Sequence, residues 1–369
     1  MANSRMSKRQ RAAKQRRKMI LFAFEIIIIL VMIMLLYLVM NKTSEGPKVT
    51  VIDTEKLAIP SQVQEMEEEG GTMHGYRNIA LFGVDAKTDS QLFKDSRSDS
   101  TMIASINMDT GDIKLVSVYR DTYLNAGTDS NGNENTYAKC NSAYSWGGAE
   151  QAVRMLNMNL DMDITNFVAV SYKGLSKVID GIGGIYIDVD SEELLHINNY
   201  QIGVAEVLKT DYTPVKETGY QLLNGIQATA YCRIRQTKGD DFKRTARQRE
   251  VLKAIEAQAK QLDLATLTKV FNDCIGDIYT TIDSAEILKL IGSIADYRIV
   301  DEAGFPREDL RTPETLGAKG SCVVPTDLES NVVWLHQYLF DDEDYVVTET
   351  VKECSEQIKE NVAPYMKNK

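Results

Sequence analysis

The chain has 369 residues, 43% of them hydrophobic, and carries 42 Lys and Arg against 53 Asp and Glu, a formal net charge of −11. That length suffices for a membrane anchor plus one large domain, or for two smaller ones. The acidic balance argues against a nucleic-acid partner. Three histidines far apart in sequence argue against a histidine metal centre or a Ser/His/Asp triad, and five scattered cysteines with no Cys-x-x-Cys pair support neither a zinc site nor a disulfide framework.

Residues 1–18 hold eight basic side chains and no acidic one, as a cytoplasmic tail does. Met19 to Met40 follows as an apolar run of 22 residues broken only by Glu25. That length spans a bilayer, and the positive charge before it predicts that everything after Met40 lies outside the cell. The run is too long for a signal-peptide core and lacks a small-residue cleavage site, so a retained single-pass anchor in the plasma membrane is expected. Beyond it remain 34 basic and 52 acidic residues, a balance of −18. Residues 41–75, with Gly46, Pro47, Pro60 and the run EMEEEGG, read as an extracellular linker.

A folded domain is expected over 76–340. Asn78 to Val84 reads as a buried strand ending at Asp85, and Thr101 to Asn107 as a second strand preceded by Arg97 and Asp99. A tight turn at 108–111 leads to a third strand, Ile113 to Tyr119, and to Arg120. If these strands form an antiparallel meander, Asp85, Asp99 and Arg120 meet at one edge of the sheet, with Arg97 beside them. Two carboxylates next to two guanidiniums suit an oxygen-ligated cation beside a phosphate. A helix starts near Glu150 after a glycine pair. Strands at 167–170 and 185–189 with a helix at 172–179 between them predict a mixed sheet covered by helices, an α/β/α sandwich behind one transmembrane helix. Residues 191–219 read as a lid-like insertion, helical only in part.

The stretch ATAYCRIRQTKGDDFKRTARQREVL, residues 228–252, carries the most chemistry. Its first half alternates as a strand would, with Arg233 and Arg235 on one face. Its second half reads as a helix with Asp241 as N-cap, on which Arg244, Arg247 and Gln248 fall within about one turn. With Arg249, five guanidiniums lie within seventeen residues. A solvated basic face is the bland reading. An anion cradle is the sharper one, because planar guanidiniums bind phosphate oxygens in pairs and stay charged. Further helices are expected at 266–275 and 284–294, each capped by its Thr or Ser, and at 327–339. A loop is expected at 305–321, and 341–369 reads as a tail, acidic and then mixed, with a helix open to it from Thr350.

Taken together, NIALFGVD, RSDSTMIASIN, KLVSVYRDTYL, NSAYSWGGAEQAV, VIDGIGGIYIDV, GYQLLNGIQATAYCRIR and DFKRTARQREVL resemble the LytR–CpsA–Psr family, with the core motifs over 77–255. The resemblance implies an enzyme that moves glycopolymers such as teichoic acid or capsular polysaccharide from an undecaprenyl-pyrophosphate carrier to peptidoglycan in a Gram-positive envelope. It implies Mg²⁺ held by Asp85 and Asp99, and a pyrophosphate gripped by Arg120, Arg233, Arg235, Arg244 and Arg247, with Gln248 in the same motif and Arg97 close by. Asp241 or Asp240 would take the acceptor proton. Lys87 stands where the family has arginine, and Lys243 where it has glycine. A pyrophosphatase on the same site, or a non-catalytic receptor for anionic polymer or lipid, are the alternatives.

Overall fold

The computed structural model describes residues 48–86, 88–235 and 240–366, apart from the side chains of Lys48, Asp89 and Asp240. The expected tail and membrane anchor, and Lys87, lie outside these residues. Among the described residues no helix is long and apolar enough to cross a membrane.

In chain order the first half forms β1 (Lys48–Val49), α1 (Ser61–Glu68), β2 (Tyr76–Val84), β3 (Ser98–Asn107), β4 (Asp112–Val118), β5 (Tyr123–Asn125), β6 (Tyr137–Lys139), α2 (Asn141–Leu160), β7 (Asn166–Ser171), α3 (Tyr172–Gly181) and β8 (Ile185–Val189). The second half forms α4 (Ser191–Leu208), β9 (Gly219–Leu223), α5 (Gly225–Tyr231), α6 (Asp240–Ala259), α7 (Leu264–Cys274), β10 (Ile278–Thr280), α8 (Ser284–Gly292), β11 (Arg298–Phe305), β12 (Arg311–Thr315), β13 (Ser321–Pro325), α9 (Leu328–Phe340) and α10 (Glu349–Met366).

Seven strands make the central sheet in the order β1-β10-β7-β2-β3-β4-β11. The expected meander is present: β3 runs antiparallel to both β2 and β4, while β7 lies parallel to β2 and β11 parallel to β4. The sheet is therefore mixed. Both faces of β2 are covered, which is why its sequence is nearly continuously apolar. Ala80, Phe82 and Val84 enter a core with Tyr144, Leu156, Leu335 and Ile358 of α2, α9 and α10, whereas Ile79 and Leu81 face a smaller cluster with Ile287 of α8. A third cluster joins α3, α4 and α5 to β8 and β9.

Several boundaries differ from the sequence reading, and each difference has a local cause. The linker is in part folded: Leu57, Val63 and Met73 are buried in the main core, so the domain starts near residue 48. The tail is helical from Glu349, next to the Thr350 start that the sequence allows, but it belongs to the core, since α10 buries Val351, Cys354, Ile358 and Val362. The two ends also meet directly, Glu349 N–H donating to Gln62 Oε1 at 2.9 Å. Residues 185–189 form a strand, but it pairs antiparallel with β9 in a separate two-stranded sheet rather than in the central sheet. Residues 191–208 form a continuous helix because Asp190 and Glu193 make a reciprocal capping box. Asp263 and Asp283, not the following Thr and Ser, cap α7 and α8. The expected loop at 305–321 contains β12, paired with β13. The glycine pair lies within α2 and kinks it: Gly148 sits at φ +69°, and a Cβ there would meet the Phe93 carbonyl oxygen at 2.3 Å.

His336 on α9 reports on this packing. It is fully buried, stacks on Tyr345 at 3.6 Å and lies 3.0 Å from the Leu160 carbonyl oxygen. Burial pulls its imidazole down to about 4. The unfolded chain thus binds a proton that the fold refuses, so this contribution is complete above about pH 6.5 and is lost as pH falls toward 4. Between pH 7.5 and 5 the loss amounts to about 2 kcal/mol. Burial raises Asp161 and Asp163 and works in the opposite sense, so the comparison is made against a variant. His336→Gln should lower urea-unfolding stability at pH 7.5 yet flatten its fall toward pH 5 relative to the parent. An equal fall in both proteins would remove the assignment to His336.

Candidate active site

The meander brings its ends together. β2 runs into Asp85, β3 begins at Ser98 and Asp99, and β4 leads to Arg120; Val84 stands opposite Ser98 across a register shift. A cavity of about 480 Å³ opens here, lined by Asp85, Arg97, Asp99, Arg120, Arg233, Arg235, Arg244 and Gln248. Eight residues singled out in the sequence thus share one pocket.

Asp99 is the hub. Its Oδ1 accepts from Arg120 Nη1 at 2.5 Å and from Arg235 Nη2 at 3.3 Å, its Oδ2 accepts from the Tyr172 hydroxyl at 2.9 Å, and its main-chain oxygen accepts from Arg244 Nη2 at 3.0 Å. Burial, reinforced by the Asp99 carboxylate, pushes the Tyr172 phenol well above its ordinary range, so it stays a donor. Arg233 lies over the Tyr172 ring, 4.4 Å from its centre. Arg244 is 1% exposed, and its Nε and Nη1 have no hydrogen-bond partner among the described residues. A guanidinium buried with donors unused is costly by itself and is relieved by an oxyanion.

The arginines reach this point by a route other than the one expected. Residues 225–231 are helical, started by a capping box in which Asn224 and Gln227 each accept the other's main-chain N–H at 2.9 Å. Arg233 and Arg235 therefore project from the turn after α5, not from a strand. Asp241 is not an N-cap but lies in the first turn of α6, where its carboxylate pairs with Arg244 at 2.8 Å. Arg247 is turned away from the pocket. Its Nε meets Glu193 of α4 at 2.7 Å and its Nη1 donates to the Ile234 carbonyl at 3.2 Å, with the guanidinium 4% exposed. Gln248 Nε2 donates to the Cys232 carbonyl at 3.4 Å.

Asp85 is positioned through its backbone, its carbonyl accepting from Ser96 Oγ at 2.6 Å. Among the described residues no group of three or more His, Cys, Asp or Glu gathers as a metal site. Asp85 and Asp99 nonetheless form an oxygen donor pair on one pocket wall, the type that suits a hard cation whose other ligands are water and substrate oxygens. Asp99 would have to share its carboxylate with the two guanidiniums.

A second cavity, about 180 Å³ and apolar, adjoins the first; both are bordered by Asp99, Tyr172, Cys232 and Gln248. Leu81, Met102, Val168, Leu175 and Leu252 line it, between the sheet and helices α3 and α6. Sequence reading did not find this lining, because apolar residues around a cavity have the same period as those in a filled core. It also passed over Tyr172, whose only signal was a tyrosine at the exit of a strand aimed at the site. A charged pocket opening onto an apolar one accommodates an amphiphile with an anionic head.

This geometry separates arginines that bind from arginines that hold. Arg247→Ala leaves Glu193 buried without its cation and should cost about 3 kcal/mol in urea unfolding. Arg235→Ala, at a guanidinium 37% exposed, should cost under about 1 kcal/mol while weakening inorganic pyrophosphate binding severalfold by calorimetry. The reverse pattern would refute the division.

Comparison with known proteins agrees with the fold. The LytR_cpsA_psr family model matches residues 36–312. Biofilm regulatory protein A of Streptococcus mutans is 29% identical over 238 residues, covering 61% of this chain and 56% of that protein. The polyisoprenyl-teichoic acid–peptidoglycan teichoic acid transferase TagU of Halalkalibacterium halodurans is 28% identical over 208 residues, covering 55% and 60%. The chain thus spans little more than half the length of these curated relatives. The crystal structure of protein gbs0355 from Streptococcus agalactiae superposes with a TM-score of 0.59 at 22% identity, over 79% of this chain and 93% of that one. With most of its length matched by the family model, the chain belongs to the LytR_cpsA_psr family.

Proposed function

We propose that this chain is a membrane-anchored phosphotransferase that moves an anionic glycopolymer, a teichoic acid or a capsular or secondary wall polysaccharide, from undecaprenyl pyrophosphate to peptidoglycan. The observation that carries the reading is the pair of adjoining cavities, an arginine-lined one sized for a pyrophosphate and an apolar one beside it for the start of a prenyl tail. The printed activity of the TagU relative supports it. The apolar run 19–40 and the basic residues before it support a single-pass anchor with the domain outside the cell.

The chemistry follows from charge. A pyrophosphate repels an oxygen nucleophile until its negative charge is neutralised. Arg244 adds its charge to the pocket wall, Arg233 is held by the Tyr172 ring, and Arg120 and Arg235 keep N–H groups beyond those given to Asp99. An acceptor hydroxyl oxygen attacks the polymer-bearing phosphorus, the bond from that phosphorus to the bridging oxygen breaks, and polyprenyl phosphate leaves with its new charge facing the guanidiniums. Asp241, paired with Arg244, takes the hydroxyl proton. Asp85 and Asp99 would hold Mg²⁺, which would supply further charge neutralisation.

Asp99→Ala or Arg233→Ala should reduce polymer attachment to peptidoglycan by at least about 100-fold while the protein stays folded; full activity in both would end the proposal. Release of free phosphorylated polymer with none linked to the wall would favour the pyrophosphatase, and lipid binding without turnover at any Mg²⁺ concentration the receptor. The metal has its own readout. Lipid and Mg²⁺ should each raise the other's affinity by the same factor, which titration with a polyprenyl pyrophosphate with and without Mg²⁺ measures. Asp99→Asn should lose that coupling but keep much of the metal-free binding. Equal lipid affinity in both conditions for the parent protein would discard the metal site.

A further inference from the structure

A second polar cavity of about 520 Å³ lies outside the arginine pocket, between the β5–β6 hairpin and α10. One wall is a stripe on α10: Thr350, Glu353, Gln357 and Asn361 recur at helical spacing beside the buried stripe of Val351, Ile358 and Val362. The opposite wall is Tyr137 with Asn125 and Asn135, whose amides meet at 3.3 Å. Lys319 closes one side, its ammonium 5.6 Å from the Tyr123 ring centre.

The lining defines the ligand. Its charged groups are one carboxylate and one ammonium, Glu353 and Lys319, so it offers no net field to an anion, unlike the arginine pocket. Asparagine and glutamine amides both donate and accept, and tyrosine adds an apolar ring face next to a hydroxyl. Paired amides, hydroxyls and a ring face, with only Met158 and Cys354 apolar among the remaining lining, match a neutral polyhydroxylated chain. The volume falls in the range of sites for small ligands.

The cavity is also tied to the arginine pocket. Tyr123 is three residues beyond Arg120, so their Cα atoms are at most about 11 Å apart. β6 runs from Tyr137, in the cavity, to Lys139, which pairs with Asp121 at 3.2 Å; Asp121 in turn pairs with Arg120 at 3.5 Å. We infer that this groove binds a neutral oligosaccharide segment of the glycan acceptor and leads it toward Arg120. The acceptor role rests on the transferase reading, whereas the binding of saccharide does not.

The test uses the full chain in detergent, with chitotetraose as the probe and a sugar-free stem pentapeptide as the control. Glu353 and Gln357 are exposed, so the Glu353→Ala/Gln357→Ala double variant keeps the fold. Chitotetraose should saturate the parent protein, its affinity should fall at least fivefold in the variant, and the pentapeptide should not compete. The KM for peptidoglycan should rise at least fivefold, with donor KM and kcat unchanged. Absence of saturable saccharide binding, equal affinity in the variant, or displacement by the pentapeptide overturns the inference. Donor consumption with an unchanged peptidoglycan KM removes the groove and leaves the transferase standing. Saccharide binding that the variant loses, in a protein that consumes no donor, keeps the groove and removes the transferase.

Discussion

The arrangement of the site depends on one carboxylate. Asp99 stands at the start of a central strand, where two guanidiniums and a phenol converge on its oxygens and a third guanidinium takes its main-chain carbonyl. Without that anion, Arg120 and Arg235, which share its Oδ1, would repel one another, a repulsion that low dielectric makes severe. With it they are assembled before any ligand arrives. Part of their positive charge remains available because a guanidinium has five donors and the carboxylate engages few of them.

The second constraint is the sheet. Asp85, Asp99 and Arg120 stand at the ends of three successive strands, and only antiparallel pairing brings the end of one, the start of the next and the end of the third to the same edge. Covering both faces with helices leaves that edge as the opening. On one face the side chains of β2, β3 and β7 are not filled in by α3 and α6, which creates the apolar cavity directly below the charged one.

The meander and the sheet edge were legible in the sequence because apolar runs ending in Asp, Asp and Arg state both the pairing and the place. The arginine-rich helix was legible through its spacing. Arg247 was not, because its partner Glu193 lies 54 residues away on a helix whose capping box was overlooked, and spacing within α6 alone cannot tell which side faces the pocket. Arg233 and Arg235 alternate as in a strand, yet the Asn224 cap and the small residues of α5 favour a helix that ends just before them. β11 escaped notice because its exposed, charged residues are those of an edge strand. Residues 48–75 and α10 read as linker and tail, the latter at most as an isolated helix, because their apolar residues are sparse. Their burial depends on each other and on α2, which no local window contains.

That last arrangement governs how the domain comes to exist. α1, near the start of the folded region, and α10, at its end, seal the same core, and a main-chain donor of Glu349 reaches back 287 residues to Gln62. Contacts of such sequence separation form late, because most of the chain must be in hand before the loop between them can close. A chain made from its N-terminus onward therefore holds α1 unsealed until α10 has been added. The core stays open until the final helix arrives, so the domain closes as a unit rather than growing from one end.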